Sequence, residues 1–89
     1  MPRVAFTPNL ERHVSCPAQD VEGATVRDAL DAVFAANARL RSYILDDQDR
    51  VRQHVYIFIN NERIADRERL SDPVKAQDEI YVMQALTGG

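Results

Sequence analysis

Apolar and polar residues alternate in two stretches near the start of the chain, which is the pattern of β-strands with one buried face. Residues 3–7 alternate first, Pro8-Asn9 then suits a type I turn, and residues 11–16 alternate again. The pattern predicts an N-terminal β-hairpin in which Val14 and Cys16 face inward.

After this hairpin the apolar period changes from two to about 3.6 residues, which predicts one amphipathic helix. Thr25 and Asp28 have the spacing of a capping box, in which the hydroxyl accepts a hydrogen bond from an early helical N–H. Asn37 is typical of a helix end. The apolar stripe recurs at i, i+4, i+7 and i+8: Val26, Leu30, Val33 and Phe34.

The second half of the chain predicts further strands joined by tight turns. Residues 38–54 combine a short helical turn with a polar loop, and residues 55–59 are apolar throughout, which is typical of a strand covered on both faces. Asn60-Asn61 tolerates positive φ and favours a hairpin turn, so Arg63–Ala65 is expected to be the returning strand. The alternating run that begins at Glu79 is the last predicted strand.

The predicted order β-β-α-β-β-β indicates an α+β fold, a mixed sheet of four to five strands with one main helix packed across one face. The other face of that sheet stays partly open and is available to a partner. Tyr56, Phe58 and Tyr81 are candidates to line this open face, and packing in the core is the alternative for each.

Length and charge narrow the class of protein. The 89 residues suffice for one domain, and a net charge of −3 argues against a general nucleic-acid or anionic-membrane binder. No apolar run has the ~20 residues of a membrane span. One cysteine, Cys16, excludes an internal disulfide and fits a reducing compartment. We therefore expect a cytoplasmic protein that is a monomer when free.

Residues that can bind metals or act in catalysis are scattered rather than clustered. His13 and His54 are far apart and have no cysteine or acid at ligand spacing, so no metal site is predicted. Asp46, Asp47 and Asp49 lack the glycine and the downstream glutamate of a calcium loop. The sequence thus predicts no catalytic constellation and no bound metal or cofactor.

The sequence ends in Gly88-Gly89, after an extended run without turn residues or a helical period. We expect a single domain over residues 1–85 and a flexible tail over residues 86–89, because small and polar residues at a terminus have little to pack against. Glycine has no Cβ and can enter a narrow channel. A terminal carboxylate is ionised at neutral pH and can act as a nucleophile.

These features together resemble the MoaD/ThiS family of ubiquitin-like sulfur carriers, which have the β-grasp fold. The resemblance rests on the element order, the capped helix, the Asn60-Asn61-Glu62 hairpin and the Asp78–Val82 run that leads to Gly88-Gly89. It covers essentially the whole chain and implies that the first and last strands are parallel neighbours at the sheet centre.

The sequence departs from the pattern of known family members in two places, and both bear on which biosynthetic pathway it serves. The spacer Met83–Thr87 has none of the prolines that molybdopterin-synthase small subunits usually carry, and residues 38–54 would be an insertion relative to thiamine-pathway carriers. The chain looks more similar to carriers that serve the biosynthesis of cysteine or another sulfur metabolite.

The resemblance also implies a chemistry. A partner adenylating enzyme with ATP and magnesium would activate the Gly89 carboxylate, and a sulfurtransferase step would convert it to a thiocarboxylate for a downstream sulfur-accepting synthase. Leu86, Thr87 and Gly88 would thread into the partner's channel. The chain would be a protein co-substrate with no cofactor of its own, not an enzyme.

Three other functions remain open at this point. The chain could be the small subunit of molybdopterin synthase in molybdenum-cofactor biosynthesis. It could be a ubiquitin-like modifier conjugated to lysines through Gly89, since the same adenylate serves either product. It could also be a plain β-grasp interaction module, in which case loss of Gly89 would leave its function intact.

Overall fold

The computed structural model describes residues 1–11 and 15–84. Within them no helix is long and apolar enough to cross a membrane. The elements in chain order are β1 (Arg3–Phe6), α1 (Pro8–Glu11), β2 (Gln19–Asp20), α2 (Val26–Ala36), α3 (Ala38–Ile44), β3 (Val55–Ile59), β4 (Glu62–Arg63) and β5 (Glu79–Gln84).

The strands form one sheet in the order β2-β1-β5-β3-β4. Strands β1 and β5 are parallel, with Val4 opposite Ile80, and β5 is antiparallel to β3, with Val82 opposite Ile57. The first and last strands are therefore neighbours, and β5 has a strand on each side. This confirms the mixed sheet and the parallel central pair that the resemblance implied.

Helix α2 begins and ends where its capping residues predict. The Thr25 hydroxyl accepts a hydrogen bond from the Asp28 N–H at 3.2 Å, and the Asn37 N–H donates to the Val33 and Phe34 carbonyls at the other end. Such an N-cap is worth about 1 kcal/mol. The helix is thus fixed in length, and its predicted apolar stripe is buried.

The core lies between α2 and one face of the sheet. Leu30, Val33 and Ile80 are fully buried there, and helix α3 adds Leu40 and Ile44. Helix α3 is longer than the single turn expected after Asn37. Hydrophobic patterning predicts that eleven residues form this core, and all of them are buried except Ile59, which is partly buried: Val4, Phe6, Val26, Leu30, Val33, Phe34, Ile57, Ile59, Leu70, Ile80 and Val82.

The predicted N-terminal hairpin is wrong in its second strand. The partner of β1 is Gln19–Asp20, not residues 11–16, and Pro8 opens the short helix α1. Proline suits a first helical position because the N–H it lacks has no helical partner there. Cys16 is buried as predicted, whereas Val14 lies outside the described residues.

The hairpin between β3 and β4 is confirmed, but its returning strand is shorter than expected. Asn60 and Asn61 have φ of 50° and 74°, the paired positive values of a tight hairpin turn. The strand is Glu62–Arg63 rather than Arg63–Ala65. The Ala65 N–H donates to the Asp72 carboxylate at 2.8 Å, which turns the chain away from β3.

Candidate functional site

Three aromatic residues predicted for the open face of the sheet lie together on it. Alternation along β5 directs Ile80 and Val82 into the core and Tyr81 to the opposite face. Phe58 is directly opposite Tyr81, and Tyr56 is one step further along the same face of β3. All three aromatics are partly exposed, so this face is not closed by the core.

Two smaller apolar residues extend this cluster. Ala5 pairs with Tyr81 from β1, and Met83 pairs with Tyr56, so the strip crosses the three central strands. Sequence analysis missed Ala5 and Met83, although the same alternation places them on this face. We call Ala5, Tyr56, Phe58, Tyr81 and Met83 the apolar strip. Directly opposed side chains have Cβ atoms about 5 Å apart, so the strip is a continuous surface.

Strand β5 is held in the sheet up to its last residue. Gln84 pairs with Val55, and its N–H lies 3.4 Å from the Thr7 hydroxyl that accepts its hydrogen bond. The Thr7 N–H in turn donates to the Val82 carbonyl at 3.0 Å. Any continuation of the chain therefore starts from a fixed point beside Tyr56.

The predicted tail and threading residues lie beyond that point and outside the described residues; they are Leu86, Thr87, Gly88 and Gly89. His13 also lies outside. Five extended residues, 85 to 89, can reach at most about 17 Å from the end of β5. The reach is sufficient to place Gly89 inside a partner's site while the sheet stays outside it.

A pocket of about 620 Å³ opens at the same end of β3. The guanidinium carbons of Arg63 and Arg67 lie 5.0 and 5.5 Å from the centre of the Tyr56 ring, within cation–π range. The residues that line the pocket are Asp46, Arg50, Val51, Gln53, Tyr56, Ile57, Arg63, Ile64, Arg67 and Glu68. Sequence analysis missed Arg63 and Arg67, since they meet at Tyr56 only after the β3–β4 hairpin returns and the chain turns again.

The described residues thus place a partly exposed apolar strip beside the end of β5, and comparison with known proteins identifies the family. A model of the ThiS family matches residues 12–89. This chain belongs to the ThiS family.

Individual relatives of this ThiS-family chain support the assignment. Small archaeal modifier protein 1 of Haloferax volcanii is 35% identical over 71 residues, which is 79% of this chain and 77% of the relative. The crystal structure of SAMP1 from Haloferax volcanii superposes with a TM-score of 0.79 at 28% identity, covering 99% of this chain and 98% of that one. The name of this relative describes a small modifier protein.

A chain of the Amycolatopsis orientalis BexX/CysO complex has a TM-score of 0.83 at 22% identity, with full coverage of both chains. At that identity the likeness concerns the fold. It confirms that the ThiS-family chain has the ubiquitin-like β-grasp fold.

The acidic loops of this ThiS-family chain serve its structure. Asp78 accepts hydrogen bonds from the Lys75 N–H and the Asn60 amide, and these bonds hold the pKa of Asp78 below its ordinary value. Hydrogen bonds from the Arg50 and Gln48 N–H groups likewise lower the pKa of Asp46. Both carboxylates stay ionised at neutral pH and hold turns in place.

The remaining candidates from sequence analysis give no second site in the described part of the chain. Asp49 pairs with Arg41 at the surface, and His54 is exposed. Cys16 is 2% exposed and packs in the core, as predicted. Among residues 1–11 and 15–84, no three His, Cys, Asp or Glu side chains are grouped to hold a metal ion.

Proposed function

We propose that this protein is a sulfur carrier. A partner enzyme adenylates Gly89 and a thiocarboxylate then forms there, which donates sulfur in the biosynthesis of cysteine or another sulfur metabolite. The observation that carries this proposal is the ThiS-family match, which extends through Gly89. The fixed end of β5 beside the apolar strip supports it, because one partner can hold the body and receive the tail.

The proposed chemistry needs only the carboxylate from this chain. A Gly89 oxygen attacks the α-phosphate of ATP, and pyrophosphate leaves. The terminal sulfur of a persulfide attacks the acyl carbon and displaces AMP, which gives an acyl disulfide. A second thiol then attacks the inner sulfur, so that the thiocarboxylate leaves and a disulfide forms. ATP, magnesium and both sulfur groups are supplied by partner enzymes.

The body of the protein supplies recognition in this proposal. Phe58 and Tyr81, at the centre of the apolar strip, dock on the adenylating enzyme. Aromatic side chains bury a large area and commonly dominate such interfaces. Because β5 is anchored through Thr7, docking of the strip sets the point from which the tail enters the catalytic site.

Intact-mass measurement tests the proposal. With a cognate adenylating enzyme, ATP, magnesium and a persulfide donor, the wild-type protein should gain the mass of one oxygen-to-sulfur exchange. Deletion of Gly89 should abolish the gain, because the carboxylate then stops one residue short of the α-phosphate. Gly88→Ala should slow it less, through the added Cβ. If the deletion variant gains sulfur at the wild-type rate, Gly89 is not the carrier group.

A second function is favoured by one observation. The relative that is 35% identical is named a modifier protein, so conjugation through Gly89 to lysines of other proteins is the alternative product of the same adenylate. Analysis of the protein in cells of the source organism distinguishes the carrier function from the modifier function. A sulfur-dependent thiocarboxylate supports the carrier, whereas isopeptide-linked adducts that disappear on deletion of Gly89 support the modifier.

A further inference from the structure

The arginine pocket, which is lined by Arg63 and Arg67, adjoins the end of β5. Tyr56 forms part of the pocket wall and pairs with Met83, one residue before Gln84 at the end of β5. Tyr56 also belongs to the apolar strip. Pocket and strip therefore form one continuous surface, and an enzyme that receives the tail must lie against it.

Two positive charges in this pocket are held in position and are not neutralised. Arg63 and Arg67 both stack on the Tyr56 ring, and neither forms a salt bridge with another residue of the described ranges. Arg67 donates one N–H to the Arg52 carbonyl at 2.9 Å, which leaves most of its five donors for a ligand. Stacking reduces the side-chain entropy that binding would otherwise cost.

The acidic residues of the pocket leave its charge positive. Asp46 lies 3.7 Å from the Arg50 guanidinium and accepts hydrogen bonds from its own loop, so these two charges offset each other. Glu68 also lines the pocket, where its single negative charge is set against the two positive charges of Arg63 and Arg67. The local excess of positive charge contrasts with the net charge of −3 of the whole chain.

We propose that this pocket receives carboxylate side chains from an acidic segment of the adenylating enzyme; this inference rests on the proposed carrier function. Guanidinium groups bind carboxylates with two parallel hydrogen bonds, so an Asp or Glu side chain matches the stacked arginines. The pocket opens beside the apolar strip, and one protein surface can cover both. The pair of arginines orients the carrier so that the tail points into the enzyme.

Charge reversal at Arg63 is the decisive change, because Arg63 is exposed and its described side-chain contact is the Tyr56 ring. Pyrophosphate release by the cognate adenylating enzyme is measured against carrier concentration. Arg63→Glu should raise KM on the order of tenfold and leave kcat within about twofold, since the interaction concerns docking. Arg63→Lys keeps the positive charge but loses the planar guanidinium group, and its KM should lie between those of the wild type and Arg63→Glu.

Arg39→Glu is the matched control. It makes the same charge change on an exposed side chain of α3, outside the pocket, and should leave KM within about twofold of wild type. Raising the salt from about 50 to about 500 mM should increase the wild-type KM and reduce the difference between wild type and Arg63→Glu, because salt screens exposed charges. Urea denaturation verifies that each variant is folded.

The outcomes separate this inference from the function on which it rests. If wild-type protein is not adenylated, the carrier proposal fails. If it is adenylated and Arg63→Glu has a wild-type KM at low salt, the pocket is not the docking site. If Arg63→Glu instead loses calorimetric binding of inorganic phosphate with KM unchanged, the pocket binds a small anion and the inference is overturned. If Arg39→Glu has the same effect as Arg63→Glu, only net charge matters, which also overturns it.

Discussion

Replacing Leu30 by alanine should remove about 3–5 kcal/mol from the free energy of unfolding. Leu30 is fully buried between α2 and the sheet, and removing a buried leucine to alanine costs about 2–5 kcal/mol, with the higher values where the cavity cannot collapse. The strands beneath it are held by pairing on both sides of β5, so collapse is restricted and the upper part of the range applies. A domain of 89 residues has a total stability of about 4–13 kcal/mol.

Urea denaturation followed by circular dichroism measures this change. With a slope near 1 kcal/mol per M for a small domain, the midpoint of Leu30→Ala should fall by about 3–5 M. Asp31→Ala, at the next and exposed position of α2, is the control and should change stability by less than about 0.5 kcal/mol. An unchanged midpoint for Leu30→Ala, or an equal loss in Asp31→Ala, would refute the placement of the core beneath α2.

Two further predictions use the same denaturation assay. Thr25→Ala should cost about 1 kcal/mol and Thr25→Ser should cost less, because serine keeps the capping oxygen; equal losses would show that the cap is not the cause. The pKa of Asp78 is lowered in the folded protein by its hydrogen bonds with Lys75 and Asn60. The stability that Asp78 contributes is therefore present above pH ~4 and is lost as the pH falls through its folded-state pKa. Asp78→Asn should therefore be less stable at neutral pH and should lose less stability between about pH 5 and pH 2; the same acid loss in both proteins would contradict this.

Elements with strong local signals were predictable from the sequence. Thr25 and Asn37 mark the ends of α2, and the Asn60-Asn61 pair marks a turn because both residues accept positive φ. The final strand followed from its alternation. Each of these signals acts within a few residues and does not depend on which distant strand becomes a neighbour.

The errors occurred where a distant contact determines the structure. Residues 11–16 alternate like a strand, yet β1 pairs with the two-residue strand Gln19–Asp20, and Leu10 anchors the intervening helix in the core. Strand β4 likewise ends early because the Ala65 N–H donates a hydrogen bond to Asp72, which lies seven residues further along the chain. Such contacts depend on tertiary packing, which local alternation does not encode.

The candidate site also combines residues that a local pattern places correctly with residues that only tertiary contacts bring together. Tyr56 and Phe58 share a face because residues two apart in a strand do, whereas the position of Tyr81 opposite Phe58 depends on the pairing of β5 with β3. The stacking of Arg63 and Arg67 on Tyr56 was not predictable, since it requires the hairpin to return and the chain to turn again after β4.

The two faces of the central strand β5 serve different purposes, one in folding and the other in the proposed chemistry. Its inward residues Ile80 and Val82 complete the core, while Tyr81 and Met83 on the same strand lie on the partly open face. Changes on the outward positions remove partly exposed surface and leave the core contacts in place, so they should alter docking more than stability. The register of β5 thus fixes both its contribution to the core and its contribution to the apolar strip, and a shift of β5 by one residue would exchange the residues on these two faces.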